Sequence, residues 1–139
     1  MDISDINWLA VLVASLAFFG LGMAWYGPFF GKAWQRAIAM DGGAALKQAN
    51  LSFLLVAGFI MSIIIAVGMA IFLHGPNGHQ QINGAYGALI GLMVGVLFIL
   101  PTTVINYIFA RRPLALILID GFYHITANTL IGAILGAWH

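Results

Sequence analysis

The chain of 139 residues has no cysteine and no glutamate, and only nine of its residues, four Asp and five Lys or Arg, carry charge. Absence of cysteine excludes disulfides, thiolate metal sites and thiol nucleophiles. Scarcity of charge excludes more. At 6% charged and 63% hydrophobic, the composition lies far from the roughly one-quarter charged residues of soluble domains. A chain this short also has too much surface to hide so many apolar side chains from water. A soluble globular enzyme is ruled out. The net charge of +1 provides no basic stripe able to neutralise several phosphates, so nucleic acid is not an expected partner.

What the sequence does contain is long uncharged stretches: 26 residues between Asp5 and Lys32, and 63 between Lys47 and Arg111. Bilayer is the solvent that suits them, since about 20 apolar residues in a helix cross a hydrocarbon core of about 30 Å. The expected fold class is therefore an all-α membrane protein forming a single four-span domain. Its spans run over about 6–27, 51–73, 84–110 and 113–138. The first ends at Gly27-Pro28, where proline removes a donor; the third contains Pro101; the fourth begins at Pro113. The acidic opening Met-Asp-Ile-Ser-Asp and the absence of a small-residue cleavage site argue against a signal peptide, so the first segment is expected to remain as a span.

Every Lys and Arg falls in one of two loops, Lys32, Arg36 and Lys47 in the first, Arg111 and Arg112 in the third. The positive-inside rule then orients both loops toward the cytoplasm, placing both termini in the periplasm of a bacterial inner membrane. Trp8 and Trp138 near one boundary and Trp25 and Trp34 near the other fit an aromatic belt. Residues 29–40 alternate differently: Phe30, Ala33, Trp34, Ala37 and Ile38 share one helical face and Lys32, Gln35 and Arg36 the other. This predicts a short amphipathic interfacial helix between spans one and two, on the inner leaflet.

Small residues let membrane helices approach closely. Gly87, Gly91 and Gly95 recur every four residues in span three, Gly58 and Ser62 (with Ala66 and Ala70) in span two, and Gly132 and Gly136 in span four. These are expected helix-packing positions, within the bundle or in a homo-oligomer. A thin four-helix bundle favours self-association or a membrane-protein partner.

Chemistry concentrates in span four. Asp120, His124 and Asn128 are spaced i, i+4, i+8 and share a face, with Tyr123 beside it. Folding spans three and four into a hairpin at Arg111-Arg112-Pro113 brings Thr102, Thr103 and Asn106 level with Asp120. Pro101 deprives the Leu97 carbonyl of its donor, which predicts that His124 or a nearby hydroxyl supplies one. The intramembrane polar cluster then admits three readings: a hydrogen-bond network that locks helix packing, a proton or polar-solute pathway, or catalysis. No nucleophile–base spacing, phosphate loop or metalloprotease motif supports the last, so no catalytic residue, metal site or cofactor is expected. His74, His79 and His139 read as solvated histidines. The leading functional expectation is a small oligomeric permeation or transport element, with an accessory or structural subunit as the alternative.

The stretch Phe19-Gly-Leu-Gly-Met-Ala-Trp-Tyr-Gly-Pro-Phe-Phe-Gly-Lys-Ala-Trp34, with Leu118-Ile-Asp-Gly-Phe-Tyr-His124 and the ending Gly132-Ala-Ile-Leu-Gly-Ala-Trp138, resembles the bacterial integral membrane family of unknown function numbered 1761. The likeness covers nearly the whole chain. It implies a small four-span inner-membrane protein and implies no activity, substrate or site residues.

Overall fold

A computed structural model describes residues 6–39, 50–74 and 82–138. Among these residues the protein is helical throughout its regular structure: α1 (Trp8–Ala24), α2 (Gly31–Ala39), α3 (Leu51–Leu73), α4 (Gly84–Val94), α5 (Leu100–Phe109) and α6 (Leu114–Ala137). A π turn over Trp25–Phe29 extends α1, and another over Gly95–Ile99 joins α4 to α5. The described residues thus form four segments long and apolar enough to cross a membrane: Trp8–Phe29, Leu51–Leu73, Gly84–Phe109 and Leu114–Ala137. The chain is a multi-pass membrane protein.

One π turn contains a proline, Pro28, and the other ends one residue before Pro101. A proline leaves a carbonyl without its helical donor, and local π adjustments are one way a membrane helix accommodates such a break. Thus span one does not stop at Gly27-Pro28. It continues through Pro28, and the N–H of Phe30 donates to the carbonyl of Trp25 at 2.8 Å. In span three an i→i−5 turn ends just before Pro101, where the N–H of Leu100 donates to the carbonyl of Gly95.

α6 is the central helix. It packs against α1, α2, α3, α4 and α5, with the most extensive contact on α4, while α3 touches α4 only slightly. Being flanked on two sides, α6 buries a broad face that includes Leu116, Ile117, Tyr123, Ala127, Ile131 and Leu135. Ala10, Val11, Ala14 and Phe18 of α1 and Ala66, Met69, Ala70 and Leu73 of α3 complete the core. The outward faces are also apolar: Phe53, Val56, Phe98, Ile105 and Phe109 are exposed, as lipid-facing helices require.

The α4–α6 contact depends on glycine. A Cβ at Gly87 would run into the Gly132 carbonyl, one at Gly132 into the Gly87 carbonyl, and one at Gly91 into the Asn128 carbonyl. Gly136 would meet the Asn83 carbonyl at 2.5 Å, and Gly95 would meet Cα of Ile125 at 2.8 Å. Ser62 is fully buried, its hydroxyl donating to the Phe59 carbonyl at 2.7 Å. Gly58 departs from the expectation. It is exposed, and a Cβ there would meet nothing nearer than the Phe19 ring at 3.8 Å. The α1–α3 contact is wide enough at that level for a side chain.

The two ends of the bundle are tied differently. Asn7 caps α1 by accepting from the Ala10 N–H at 3.1 Å and donates through Nδ2 to the Trp138 carbonyl at 3.2 Å, so the start of span one meets the end of span four. At the opposite end, Arg112 N–H donates to the Tyr107 carbonyl and Arg111 N–H to that of Ile108, with Arg111 at φ 54°. This is a Schellman cap with arginine in the left-handed position usually held by glycine.

Candidate functional site

Asp120 is the only acidic side chain among the described residues, and it is 7% exposed. An ionisable group inside a membrane protein needs partners, and here both carboxylate oxygens have one. Tyr26 donates its hydroxyl to Oδ1 at 2.7 Å and Tyr107 donates to Oδ2 at 2.7 Å. Three spans therefore meet at one side chain: the first through Tyr26, the third through Tyr107, and the fourth through Asp120 itself.

The first π turn makes this possible. Trp25 Nε1 donates to the Ile119 carbonyl at 3.1 Å while the next residue reaches Asp120, so two consecutive side chains converge on adjoining positions of α6. Aromatic rings fill the surroundings. Tyr26 stands edge-on to Trp34 at 5.3 Å and to Tyr123 at 5.1 Å between centroids, and Trp25 lies 4.7 Å from Phe30. The predicted amphipathic segment is a helix, α2, which packs on α6, buries Ala37 and sets Trp34 against the Tyr26 ring of this node. Tyr123 is turned the other way: its hydroxyl donates to the Phe18 carbonyl at 3.2 Å, and its ring meets that of Phe18 edge-on at 5.4 Å.

Of the residues singled out in the sequence, Asp120, Tyr123 and Asn128 are buried and His124 is half-buried. Thr102 and Asn106 do not join them. Both are exposed, and the Thr102 hydroxyl donates to the Phe98 carbonyl of its own helix at 2.7 Å. Thr103, half-buried, likewise donates to the Ile99 carbonyl at 2.9 Å. Level placement is not enough: the hairpin sets Asn106 at the right depth, but the helical period turns its neighbour Tyr107 toward Asp120. Of the donors expected near the Pro101 break, Nδ1 of His124 has no hydrogen-bond partner, whereas the nearby hydroxyls of Thr102 and Thr103 donate to the carbonyls of Phe98 and Ile99.

Tyr26, Tyr107 and Trp25 are the site residues that sequence reasoning missed. A signal existed for each. Tyr26 and Trp25 belong to the Trp-Tyr-Gly-Pro segment, and Tyr107 lies one position from a residue already placed level with Asp120.

Deeper along α6, Asn128 donates from Nδ2 to the His124 carbonyl at 2.8 Å. Here the helix already lies within the glycine crossing with α4, Gly91 standing against the Asn128 backbone, and Ala127, Ile131 and Leu135 are buried along it. No group of three metal-ligating side chains occurs among the described residues. His74 sets its Nδ1 2.9 Å from the Ala70 carbonyl oxygen, and His79 and His139 lie outside the described residues.

Comparison with curated proteins and with solved structures finds no match. Over residues 9–136 the sequence matches a family model, an extent that includes the Trp-Tyr-Gly-Pro segment, the Asp120 node and nearly all of the closing Gly-Ala-Ile-Leu-Gly-Ala-Trp. The chain belongs to the family described as Protein of unknown function (DUF1761).

Proposed function

We propose that this protein is a non-enzymatic component of the bacterial inner membrane, an accessory or structural subunit in which the Asp120 node holds three spans in register. The observation that carries this reading is the pair of tyrosine donors, each 2.7 Å from its own carboxylate oxygen. A carboxylate so engaged serves the protein's packing before it serves a passing solute. The partner is a second copy or another membrane protein, received on the exposed apolar faces of α3 and α5. The cytoplasmic side is the one bearing Lys32, Arg36, Arg111 and Arg112, with α2 along the inner leaflet and both termini in the periplasm.

A second reading, conduction of a proton or polar solute through an oligomer, is favoured by two buried polar atoms deeper on the same face of α6, Nδ1 of His124 and Oδ1 of Asn128. It ranks second because the route past Asn128 within one copy meets the glycine crossing and a fully buried Ile131.

Reconstitution into liposomes separates the two. In the structural reading the parent protein gives no proton or solute flux above empty vesicles, and Asp120→Asn or the pair Tyr26→Phe with Tyr107→Phe lowers stability. Flux in the parent that disappears in a folded Asp120→Asn variant would instead establish conduction and overturn the structural reading.

A further inference from the structure

Along the face of α6 that runs from Asp120 into the glycine crossing, two buried polar atoms carry no hydrogen bond: Nδ1 of His124 and Oδ1 of Asn128. Asn128 is 1% exposed, and chemistry fixes which way its amide points. Nδ2 donates to the His124 carbonyl at 2.8 Å, whereas the flipped amide would set one acceptor against another. Oδ1 is therefore the amide atom left without a partner, one helical turn from His124, and residues four apart on a helix stand about 5–6 Å from each other at Cβ.

The nearby threonine hydroxyls have their single proton committed elsewhere and so cannot donate to Oδ1. The Thr129 hydroxyl donates to the Ile125 carbonyl at 2.8 Å, that of Thr126 to the Phe122 carbonyl at 2.8 Å, and that of Thr103 to the Ile99 carbonyl at 2.9 Å. Ala127 and Ile131 bring only methyl and methylene groups. Buried polar atoms in proteins are hydrogen-bonded, to protein or to ordered water, and lipid makes an unpaired one more costly. A second feature lies at the same level. The π turn Gly95–Ile99 faces this part of α6, with Gly95 against Ile125, and such turns widen a helix locally and recur at functional sites.

The geometry points to a binding site for one ordered water molecule between Nδ1 of His124 and Oδ1 of Asn128, near the middle of α6. Water fits both atoms for a specific reason. It donates to the amide oxygen, and it either donates to or accepts from the imidazole nitrogen, so the site is satisfied in either tautomer of His124. Two polar partners meet the minimum that holds a buried water. The site does not depend on whether the protein conducts anything; it adds internal hydration to a buried stretch of α6.

The test is water-edited solid-state NMR of the full-length labelled protein in liposomes. Polarisation from water is expected to reach the His124 ring and the Asn128 side chain several-fold faster than Ala127 and Ile131, which serve as dry references. Asn128→Leu, close in volume but lacking the acceptor, should return the His124 build-up to the dry rate. Should that variant not fold, His124→Phe read at the Asn128 amide answers the same question. Dry-rate build-up at both side chains in the parent protein, or a through-bond coupling from the His124 ring to the Asn128 amide, would overturn the water site.

Discussion

Tyr107 and Asp120 are joined across the third and fourth spans by a hydrogen bond of 2.7 Å, and the same Tyr107 accepts, through its carbonyl, the N–H that closes the hairpin at Arg112. One residue thus anchors both the turn and the buried acid. Tyr107→Phe keeps the ring and removes the donor to Oδ2. An unsatisfied buried acceptor costs about 1–3 kcal/mol, and interhelical hydrogen bonds in membranes average about 0.6 kcal/mol, so a loss of about 1 kcal/mol is expected in a denaturant titration. In an Asp120→Asn background the same change should cost less, giving a coupling energy of at least about 0.5 kcal/mol. Strict additivity would show that the contact contributes nothing.

Glycine substitutions should split by what a Cβ would meet. At Gly87 the obstacle is the Gly132 backbone, which no rotamer change relieves, so Gly87→Ala must push α4 away from α6 at about 1–3 kcal/mol. At Gly20 nothing lies within 4 Å, and alanine there gains roughly 0.5–1 kcal/mol of helix propensity. Unfolding midpoints should therefore move in opposite directions. Equal shifts would contradict the close crossing.

Gly22 offers a compensation experiment. A Cβ there would stand 2.9 Å from the Tyr123 hydroxyl, with the next ring atom at 3.5 Å. Gly22→Ala displaces the hydroxyl from the Phe18 carbonyl it now serves, while Tyr123→Phe alone gives up that bond for about 0.5–1.5 kcal/mol. With both changes the crowding is gone, and the double variant should be more stable than the sum of the single losses by at least about 0.5 kcal/mol. Thermal denaturation of the four proteins in one detergent reads this directly.

The spans were legible because their cause is one-dimensional: length and apolarity along the chain decide which solvent surrounds a helix, and the Arg111-Arg112-Pro113 turn announces the hairpin. Position along α6 was legible too, since the i, i+4, i+8 spacing of Asp120, His124 and Asn128 is itself a face. The partners of that face were not. Choosing Tyr107 over Asn106 requires the rotation of span three about its axis, which the π turn at Gly95–Ile99 alters. Placing Tyr26 requires knowing that the helix runs through Pro28 in a widened turn. Gly58 shows the converse, a small residue in periodic register whose helix happens not to approach another closely there.

Orientation in the membrane can be measured on this chain with unusual economy, because it contains no cysteine and any introduced thiol is the sole target. Ala110 is exposed beside the Arg111-Arg112 corner, and Trp138 is exposed at the opposite end of the bundle. The excess of Lys and Arg in the first and third loops predicts that the Ala110 end faces the cytoplasm. A membrane-impermeant maleimide applied to intact spheroplasts should accordingly label Trp138→Cys and leave Ala110→Cys unmodified until the membrane is lysed. Labelling of Ala110→Cys before lysis would reverse the topology. It would place Lys32, Arg36 and α2 on the outer face, because the Asn7–Trp138 tie and the Trp25–Ile119 bond fix which end of each span lies beside which.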